Sequence, residues 1–166
     1  MANNLKIEKV KNKKELRLRR LLQLYQHDWS EITGEGHISN KGLYTHINLN
    51  KFWKYPKSQA FIIKVSGEIA GFVMIKKHSY LINEKPSMVI DEFFVLRNFR
   101  KQKIGTEAAM RIFNLFPGRW QVAEMHVNKR AQKFWNKIIS IYTGNNYKET
   151  IENSKLWRGP VQIFNS

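Results

Sequence analysis

The feature that most constrains this chain is the stretch from Met88 to Gly105, which changes from a strand pattern to a helix pattern across a basic turn. MVIDEFFVL is apolar on both faces of the pleat except at Asp91 and Glu92, which is typical of a strand covered on both sides. RNFRKQK follows with four cations in seven residues, and apolar residues then recur at helical spacing. Free N–H groups at the start of such a helix, with its dipole and nearby cations, favour phosphate binding. Many α/β proteins also use this pattern structurally, so the segment alone leaves both interpretations open.

Length and composition predict a single domain over residues 1–166, because 42% hydrophobic residues suffice for a substantial core. The absence of cysteine excludes disulfides, thiolate metal sites and a cysteine nucleophile. The five histidines show no metal-ligand spacing, so we expect no metal. Neither a membrane span nor a secretory signal is evident, and a cytoplasmic location is expected.

The formal net charge of +16 is the strongest compositional signal. Such an excess favours polyanionic partners, which include nucleic acid, anionic lipid and phosphorylated cofactors or substrates. A phosphorylated cofactor would account for the cations between Arg97 and Lys103 but not for the whole excess. A generally lysine-rich proteome is the alternative explanation.

The rest of the chain reads as alternating strands and helices. Trp29 to Tyr55 is weakly periodic and reads as short helix and loop. Gly159-Pro160 interrupts the last strand and predicts an edge position or a bulge there. Besides the segment from Met88, the predicted strands are Leu5–Val10, Gln59–Val65, Glu68–Lys77, Trp120–Val127 and Lys155–Phe164, and the predicted helices are Lys11–His27, Ile104–Phe116 and Arg130–Tyr142.

The basic turn resembles the cofactor-binding segment of the GNAT acetyltransferase superfamily, in which a strand ending in Val precedes R/Q-x-x-G-x-G/A. The matching residues are Val95 and the run from Arg100 to Gly105, RKQKIG. The family's first glycine is Lys103 here. Glycine suits that position because the backbone approaches the pyrophosphate closely or takes a positive φ.

A second segment, NKRAQKFW from Asn128 to Trp135, is similar to the family's N-x-x-A-x-x-F-Y. The resemblance implies that Asn128 bonds the pantetheine arm. Trp135 replaces a tyrosine that acts as general acid in many relatives, and indole cannot supply that proton. The role is therefore absent or moved, and Tyr142 is the candidate.

The resemblance spans about Gln59 to Tyr147 and implies an α/β fold of GNAT type. Its central mixed, mostly antiparallel sheet would have six or seven strands and carry helices on both faces. It implies an acyltransferase that uses acetyl-CoA as cosubstrate and transfers the acetyl group directly to a primary amine. The predicted cofactor-binding residues are Phe94, Val95, Arg100, Lys101, Gln102, Lys103, Ile104, Gly105, Thr106, Asn128, Phe134 and Trp135.

The base that deprotonates the amine is predicted to be Asp91, with Glu92 second. Asp91 precedes Val95 by four residues, so a regular strand would place both side chains on one face and Glu92 on the other. The alternative is that these carboxylates form structural ion pairs, since a buried carboxylate needs a partner.

Other functions remain open from the sequence. A nucleic-acid-binding protein would explain the charge, although no recognisable motif supports it. A non-catalytic acyl-CoA-binding protein would explain Lys103 and Trp135. The acceptor amine, on a small molecule or a peptide, is unidentified, and a polycationic acceptor is disfavoured by charge. A monomer and a homodimer are both compatible with the sequence.

Overall fold

A computed structural model of the chain describes residues 4–11 and 15–166. Within them, strands and helices alternate along most of the sequence, and a short 3₁₀ turn occupies Arg97–Phe99. The strands are β1 (Leu5–Lys9), β2 (Gln59–Val65), β3 (Glu68–His78), β4 (Ser87–Val95), β5 (Arg119–Ala123), β6 (Lys148–Asn153) and β7 (Arg158–Asn165). The α-helices are α1 (Leu16–Thr33), α2 (Leu49–Phe52), α3 (Ile104–Leu115) and α4 (Lys129–Thr143).

All seven strands form one sheet in the order β1-β2-β3-β4-β5-β7-β6. Neighbouring strands are antiparallel except β4 and β5, which are parallel. A parallel pair needs a crossover, and here α3 supplies it. The structure therefore confirms the predicted mixed, mostly antiparallel sheet.

Helices cover both faces of the sheet, as predicted. On one face α3 and α4 pack against the larger core cluster, which includes Ile75, Ile112, Trp120 and Ile138. On the other face α1 and α2 pack against a second cluster, which includes Leu18, Phe52, Ile62 and Met74. The strands between them are buried on both sides, which explains their continuous apolar sequences.

The position predicted for the last strand is wrong. β7 lies inside the sheet between β5 and β6, and β6 forms the edge. The sequence of β6, KETIEN, carries no apolar alternation because nearly all of its side chains are exposed, so pattern reading missed it. Pro160 is tolerated because the β5 ladder ends at Ala123–Val161, so the missing N–H of Pro160 breaks no bond of that ladder. Its carbonyl accepts a hydrogen bond from the Glu124 N–H at 3.2 Å.

The bounds of α1 and β5 also differ from the predictions. α1 runs to Thr33, past the predicted end at His27, and begins at Leu16 rather than Lys11. Part of the predicted first turn, residues 12–14, lies outside the described residues. β5 ends at Ala123 instead of Val127 because the chain turns away from the sheet there.

Gly71 fixes how closely β3 approaches the end of β4. A Cβ atom there would lie 2.0 Å from the Phe94 carbonyl oxygen, a backbone atom that no side-chain rotation can move. We expect Gly71→Ala to lower the free energy of unfolding by about 1–3 kcal/mol through overpacking, measured by urea denaturation. Gly36→Ala is the control, because its added Cβ would lie 2.9 Å from Ser30 Cβ and 3.1 Å from Tyr44 Cε1 in an exposed loop, where the backbone can shift more readily than inside the sheet. Equal losses in both variants would contradict this account.

Candidate functional site

The site lies where the two parallel strands separate. β4 pairs with β5 only at Met88–Trp120 and Val89–Gln121, whereas its pairing with β3 continues to Val95. In the described part of the chain, the β5-facing edge of β4 therefore has no strand partner beyond Val89. The result is an open cleft whose wall is main chain without a pairing strand.

The start of α3 is built differently from the starts of the other helices described. In each of those helices a first-turn N–H group donates a hydrogen bond to a side-chain oxygen, namely that of Glu15, Asn48 or Asn128. At α3 no described side chain caps the helix, and its first backbone bond is from Glu107 N–H to the Lys103 carbonyl. The N–H groups of Ile104, Gly105 and Thr106 are therefore left for a ligand, as a phosphate site requires.

Lys103 occupies the left-handed region, with φ 63° and ψ 2°. Lys101 is also left-handed, at φ 62°. Non-glycine residues adopt this conformation at a cost of about 1 kcal/mol or more. The glycine position of the family motif therefore demands a positive φ here too, and Lys103 meets that demand while adding an exposed charge beside the free N–H groups.

Arg100 does not point toward those N–H groups. Its Nε donates to the Val95 carbonyl at 2.7 Å, and its Nη2 donates to Asp28 Oδ2 at 2.5 Å. Arg97 also donates to Asp28. The guanidinium of Arg100 thus ties the basic turn to α1, and a direct contact with phosphate would require these bonds to break.

Close packing between α3 and α4 depends on Gly105. A Cβ atom there would lie 3.0 Å from Phe134 Cζ and 3.5 Å from Val95 Cγ2. Trp135 is buried, with its ring 5.0 Å from that of Phe93. Phe134 and Trp135 therefore contribute an aromatic wall, and indole burial explains why the position tolerates loss of a tyrosine hydroxyl.

The other predicted cofactor residues fall into two groups. Asn128 caps α4, its Oδ1 accepting from the Ala131 N–H at 3.0 Å, and Gln102 donates to the Asn98 carbonyl at 2.7 Å. Phe94 and Ile104 are buried, Phe94 on the α1 side of the sheet. Only the main chain of these two residues can reach a ligand in the cleft.

A β-bulge in β4 overturns the expected arrangement of the two carboxylates. Glu92 pairs with Met74 and Ile90 pairs with Ile75, so Asp91 is an extra residue without a partner on β3. The contacts of both Asp91 and Glu92 are on the α1 side of the sheet, whereas Val95 packs on the α3 side. A bulge shifts the alternation by one residue. Asp91 and Val95 therefore do not share a face.

Asp91 forms an ion pair with Lys76, with 2.6 Å between Oδ1 and Nζ. The Lys76 side chain is only 10% exposed, and its Nζ lies 4.0 Å from the centre of the Tyr55 ring. A buried ammonium requires such a partner. The structural interpretation of Asp91 is thus supported by a specific contact.

Glu92 has the most perturbed environment in the cleft. Burial first, and then the charge of Asp91, raises the pKa of Glu92 to about 8. The Tyr25 hydroxyl forms a hydrogen bond with this carboxyl. Burial also raises the pKa of Tyr25, so that hydroxyl stays protonated and acts as the donor. Glu92 thus titrates near physiological pH, as a general base should.

Sequence reasoning missed the residues around this pair. Tyr25 lies on α1, and Lys76, His78 and Tyr80 lie on or just after β3. Burial, and then Lys76, lower the pKa of His78, and the Tyr80 hydroxyl donates to the Ile90 carbonyl at 3.3 Å. One signal was available: Lys76 is a charge that directly follows the apolar run AGFVMI. Nothing in the sequence connects Tyr25 to β4.

Tyr142 lies far from the cleft. Its hydroxyl donates to Asn114 Oδ1 at 2.7 Å, and its ring packs on Phe113 and Phe164. Asn114 belongs to the C-terminal end of α3, whereas the uncapped N–H groups are at the N-terminal end. The position of Tyr142 is therefore incompatible with its predicted role as general acid.

A second buried carboxyl, Glu124, follows β5. Its Oε2 accepts from Gln162 Nε2 at 3.1 Å, and its Oε1 has no hydrogen-bond partner among the residues described. Burial, with a further contribution from Glu149, raises the pKa of Glu124 to about 8. This carboxyl is therefore mostly protonated at neutral pH.

The comparisons with known proteins agree with the geometry. A family model described as the acetyltransferase (GNAT) family matches residues 18–139. No curated protein matches the sequence. An acetyltransferase from Thermus thermophilus superposes with a TM-score of 0.69 at 13% identity, covering 98% of this chain and 97% of that one. The predicted GNAT-type fold is thus confirmed.

Two further solved structures are similar in fold. AtaTR bound with AcCoA has a TM-score of 0.57 at 14% identity, covering 99% of this chain and 94% of that one. An aminoglycoside acetyltransferase, meta-AAC0020 from an uncultured soil metagenomic sample in complex with sisomicin, has a TM-score of 0.58 at 19% identity. That match covers 90% of this chain and 93% of the other.

Two features are absent from residues 4–11 and 15–166. None of the helices there has the length and apolar character needed to cross a membrane. The same residues contain no group of three or more histidine or acidic side chains placed to hold a metal ion.

Two substitutions separate the conformation of Lys103 from its charge. Lys103→Gly and Lys103→Ala both remove the cation, but only glycine accepts φ 63° without strain. We expect the glycine variant to be more stable than the alanine variant by about 1 kcal/mol, measured by urea denaturation. Both should lose affinity for acetyl-CoA in calorimetric titration. Equal stability of the two variants would contradict the assigned conformation.

The buried Glu124 predicts a pH-dependent stability. Its pKa is higher in the folded chain than in the unfolded one, so the folded state holds the extra proton between about pH 4.5 and 8. Stability is then lost as pH rises through that range, by up to about 1.4 kcal/mol per pH unit. Glu124→Gln should flatten the dependence and exceed the parent in stability at pH 8, in urea titrations at pH 6 and 8. An unchanged slope would contradict the assignment.

Proposed function

The chain belongs to the acetyltransferase (GNAT) family, and on that premise we propose that it transfers an acetyl group from acetyl-CoA to a primary amine with Glu92 as the general base. The observation that carries this proposal is the bulge in β4. The bulge puts Asp91 on the same face as Glu92, whose pKa is raised, just beyond the point where β4 and β5 separate.

The binding of acetyl-CoA is assigned to the cleft and to the start of α3. The N–H groups of Ile104, Gly105 and Thr106, with the exposed cations Lys101 and Lys103, provide a pyrophosphate site. The unpaired edge of β4 offers main-chain groups to an extended pantetheine arm. These features are what a thioester cosubstrate with phosphates and amide groups requires.

The chemistry needs no covalent intermediate on the protein. The amine nitrogen attacks the thioester carbonyl, a C–N bond forms, the C–S bond breaks, and the thiolate leaves. A free N–H group of β4 can stabilise the charge that develops on the carbonyl oxygen. Glu92 accepts the proton that the amine loses, directly or through water.

Asp91 acts on Glu92 rather than on the substrate. Its negative charge contributes to the raised pKa of Glu92, and Lys76 holds it in place at 2.6 Å. Tyr25 donates to Glu92 from α1. In this proposal the order of the two sequence candidates is reversed, because Asp91 already has a cationic partner and Glu92 does not.

The test is the pH dependence of turnover in Glu92→Gln. With a panel of amino acids and dipeptides as acceptors, we expect kcat/KM of the parent to rise with pH toward about 8, because the carboxylate form of Glu92 is the base. In Glu92→Gln, kcat/KM should no longer rise with pH, and kcat should fall at least about 100-fold. The affinity of this variant for acetyl-CoA should equal that of the parent. CoA release is measured with a thiol reagent.

Asp91→Asn is the matched control, since it changes the neighbouring carboxyl. This variant should retain turnover. Its rise in kcat/KM should occur at a lower pH, because loss of the negative charge beside Glu92 lowers the pKa of Glu92. Undiminished turnover in Glu92→Gln would refute the base assignment. Binding of acetyl-CoA without turnover on any amine would favour a non-catalytic acyl-CoA-binding protein.

A further inference from the structure

The positive charge of the chain is concentrated in segments that contain no acidic residue. Residues 36–67 contain none, and they carry Lys41, Lys51, Lys54, Lys57 and Lys64. Among these five described lysines, only Lys64 has a carboxylate partner, Glu8 at 2.6 Å. A cation without a partner leaves its field available to a ligand.

Three of these lysines form what we call the lysine rim: Lys51, Lys54 and Lys57, together with Lys77 of β3. All four are exposed, and no carboxylate in the described ranges lies within ion-pair distance of them. The Lys77 N–H donates to the Pro56 carbonyl at 2.7 Å, which fixes the rim against the sheet.

The lysine rim lies next to the carboxylate pair. Tyr55, between Lys54 and Lys57 in sequence, places its ring 4.0 Å from Lys76 Nζ, and Lys76 bonds Asp91. Acetyl-CoA does not explain this charge. The cations assigned to its phosphates are near the start of α3, whereas Lys51, Lys54 and Lys57 lie on or just after α2, which packs on the other face of the sheet.

An aromatic cavity of about 520 Å³ lies on the same face as the rim. Its lining includes the rings of Trp29, Tyr44, His37 and His46 and one carboxylate, that of Glu35. The Trp29 and His46 rings are 5.2 Å apart. Trp29 also contacts the ring of Tyr25 at 5.8 Å, and the Tyr25 hydroxyl bonds Glu92. The cavity is thus one ring away from the proposed base.

We propose that the acceptor amine is carried by an RNA, whose phosphates contact the lysine rim and one of whose unstacked nucleotides enters the aromatic cavity. This inference rests on the proposed function and names its acceptor class. Unstacked bases on aromatic side chains, with cations along the backbone, are the usual mode of single-stranded RNA recognition. An acidic peptide would match the lysines but would not use four rings.

The first experiment measures binding without catalysis. A fluorescein-labelled RNA hairpin is titrated with Lys51→Glu/Lys54→Glu/Lys57→Glu and with the control Lys137→Glu/Lys148→Glu/Lys155→Glu, whose sites are exposed and outside the rim. Each variant lowers the net charge from +16 to +10, since three reversals remove six charges. We expect at least about tenfold weaker binding for the rim variant, a salt-dependence slope reduced by about 3, and little change for the control.

The second experiment measures transfer. The parent protein is incubated with radiolabelled acetyl-CoA and cellular RNA isolated at acidic pH, which preserves esterified amino acids. Label that precipitates with RNA and is released into solution by ribonuclease supports the proposal. The rim variant should lower the amount of label in RNA while leaving the affinity for acetyl-CoA unchanged.

Several results would overturn the proposal. In the binding experiment, these are an equal loss of RNA affinity in both triple variants, or polyglutamate or a DNA duplex binding as tightly as RNA. In the transfer experiment, it is label found only in protein. The parent's salt dependence is an independent check should the rim variant fold poorly, because a flat dependence excludes phosphate contacts. Failure here leaves the Glu92 assignment intact, since turnover with small amines is measured without RNA.

Discussion

The short ladder between β4 and β5 is the constraint on which the site depends. Two paired positions, Met88–Trp120 and Val89–Gln121, hold the strands together before they separate. A longer ladder would satisfy the main chain of β4 internally and leave no edge for a ligand. The fold tolerates this opening because the buried cores on both faces hold β4 through β3 and α3. The early end of the β4–β5 ladder thus leaves the edge of β4 available to a ligand.

The bulge at Asp91 brings two adjacent carboxylates to one face of the sheet, where their charges must be compensated. Two adjacent carboxylates on one buried face cannot both remain ionised without compensation. Lys76 compensates Asp91, and Glu92 instead takes a raised pKa with a hydrogen bond from Tyr25. The sheet therefore produces one fixed charge and one titratable group from neighbouring residues. A regular strand would have separated them across the sheet, with a helix-packed core facing one of them.

Local pattern was sufficient for the elements that have a buried face. The β4–α3 unit, the β2–β3 hairpin and α4 follow from apolar periodicity, and the family motif identified the basic turn. β6 was missed because KETIEN is exposed on both faces and so has no periodicity to read. The face of Asp91 was misjudged, because the bulge at this residue is set by pairing with β3, whereas Glu92 lies on the face opposite Val95 as predicted. Tyr25 and Arg100 act through partners some seventy residues away, and no local signal reports such contacts.

The distribution of charge links the two halves of the site. Cations near the start of α3 lie where we propose that the phosphates of acetyl-CoA bind, and Lys51, Lys54 and Lys57 of the lysine rim lie on the opposite face with no carboxylate partner among the described residues. Between them, Asp91 and Glu92 are among only thirteen acidic residues in the chain. A free polycation would meet repulsion at the rim before reaching those carboxylates, whereas a polyanion that carries a single amine would be attracted by it. The same electrostatics that bring a phosphate-bearing donor to one face would thus select a phosphate-bearing acceptor on the other.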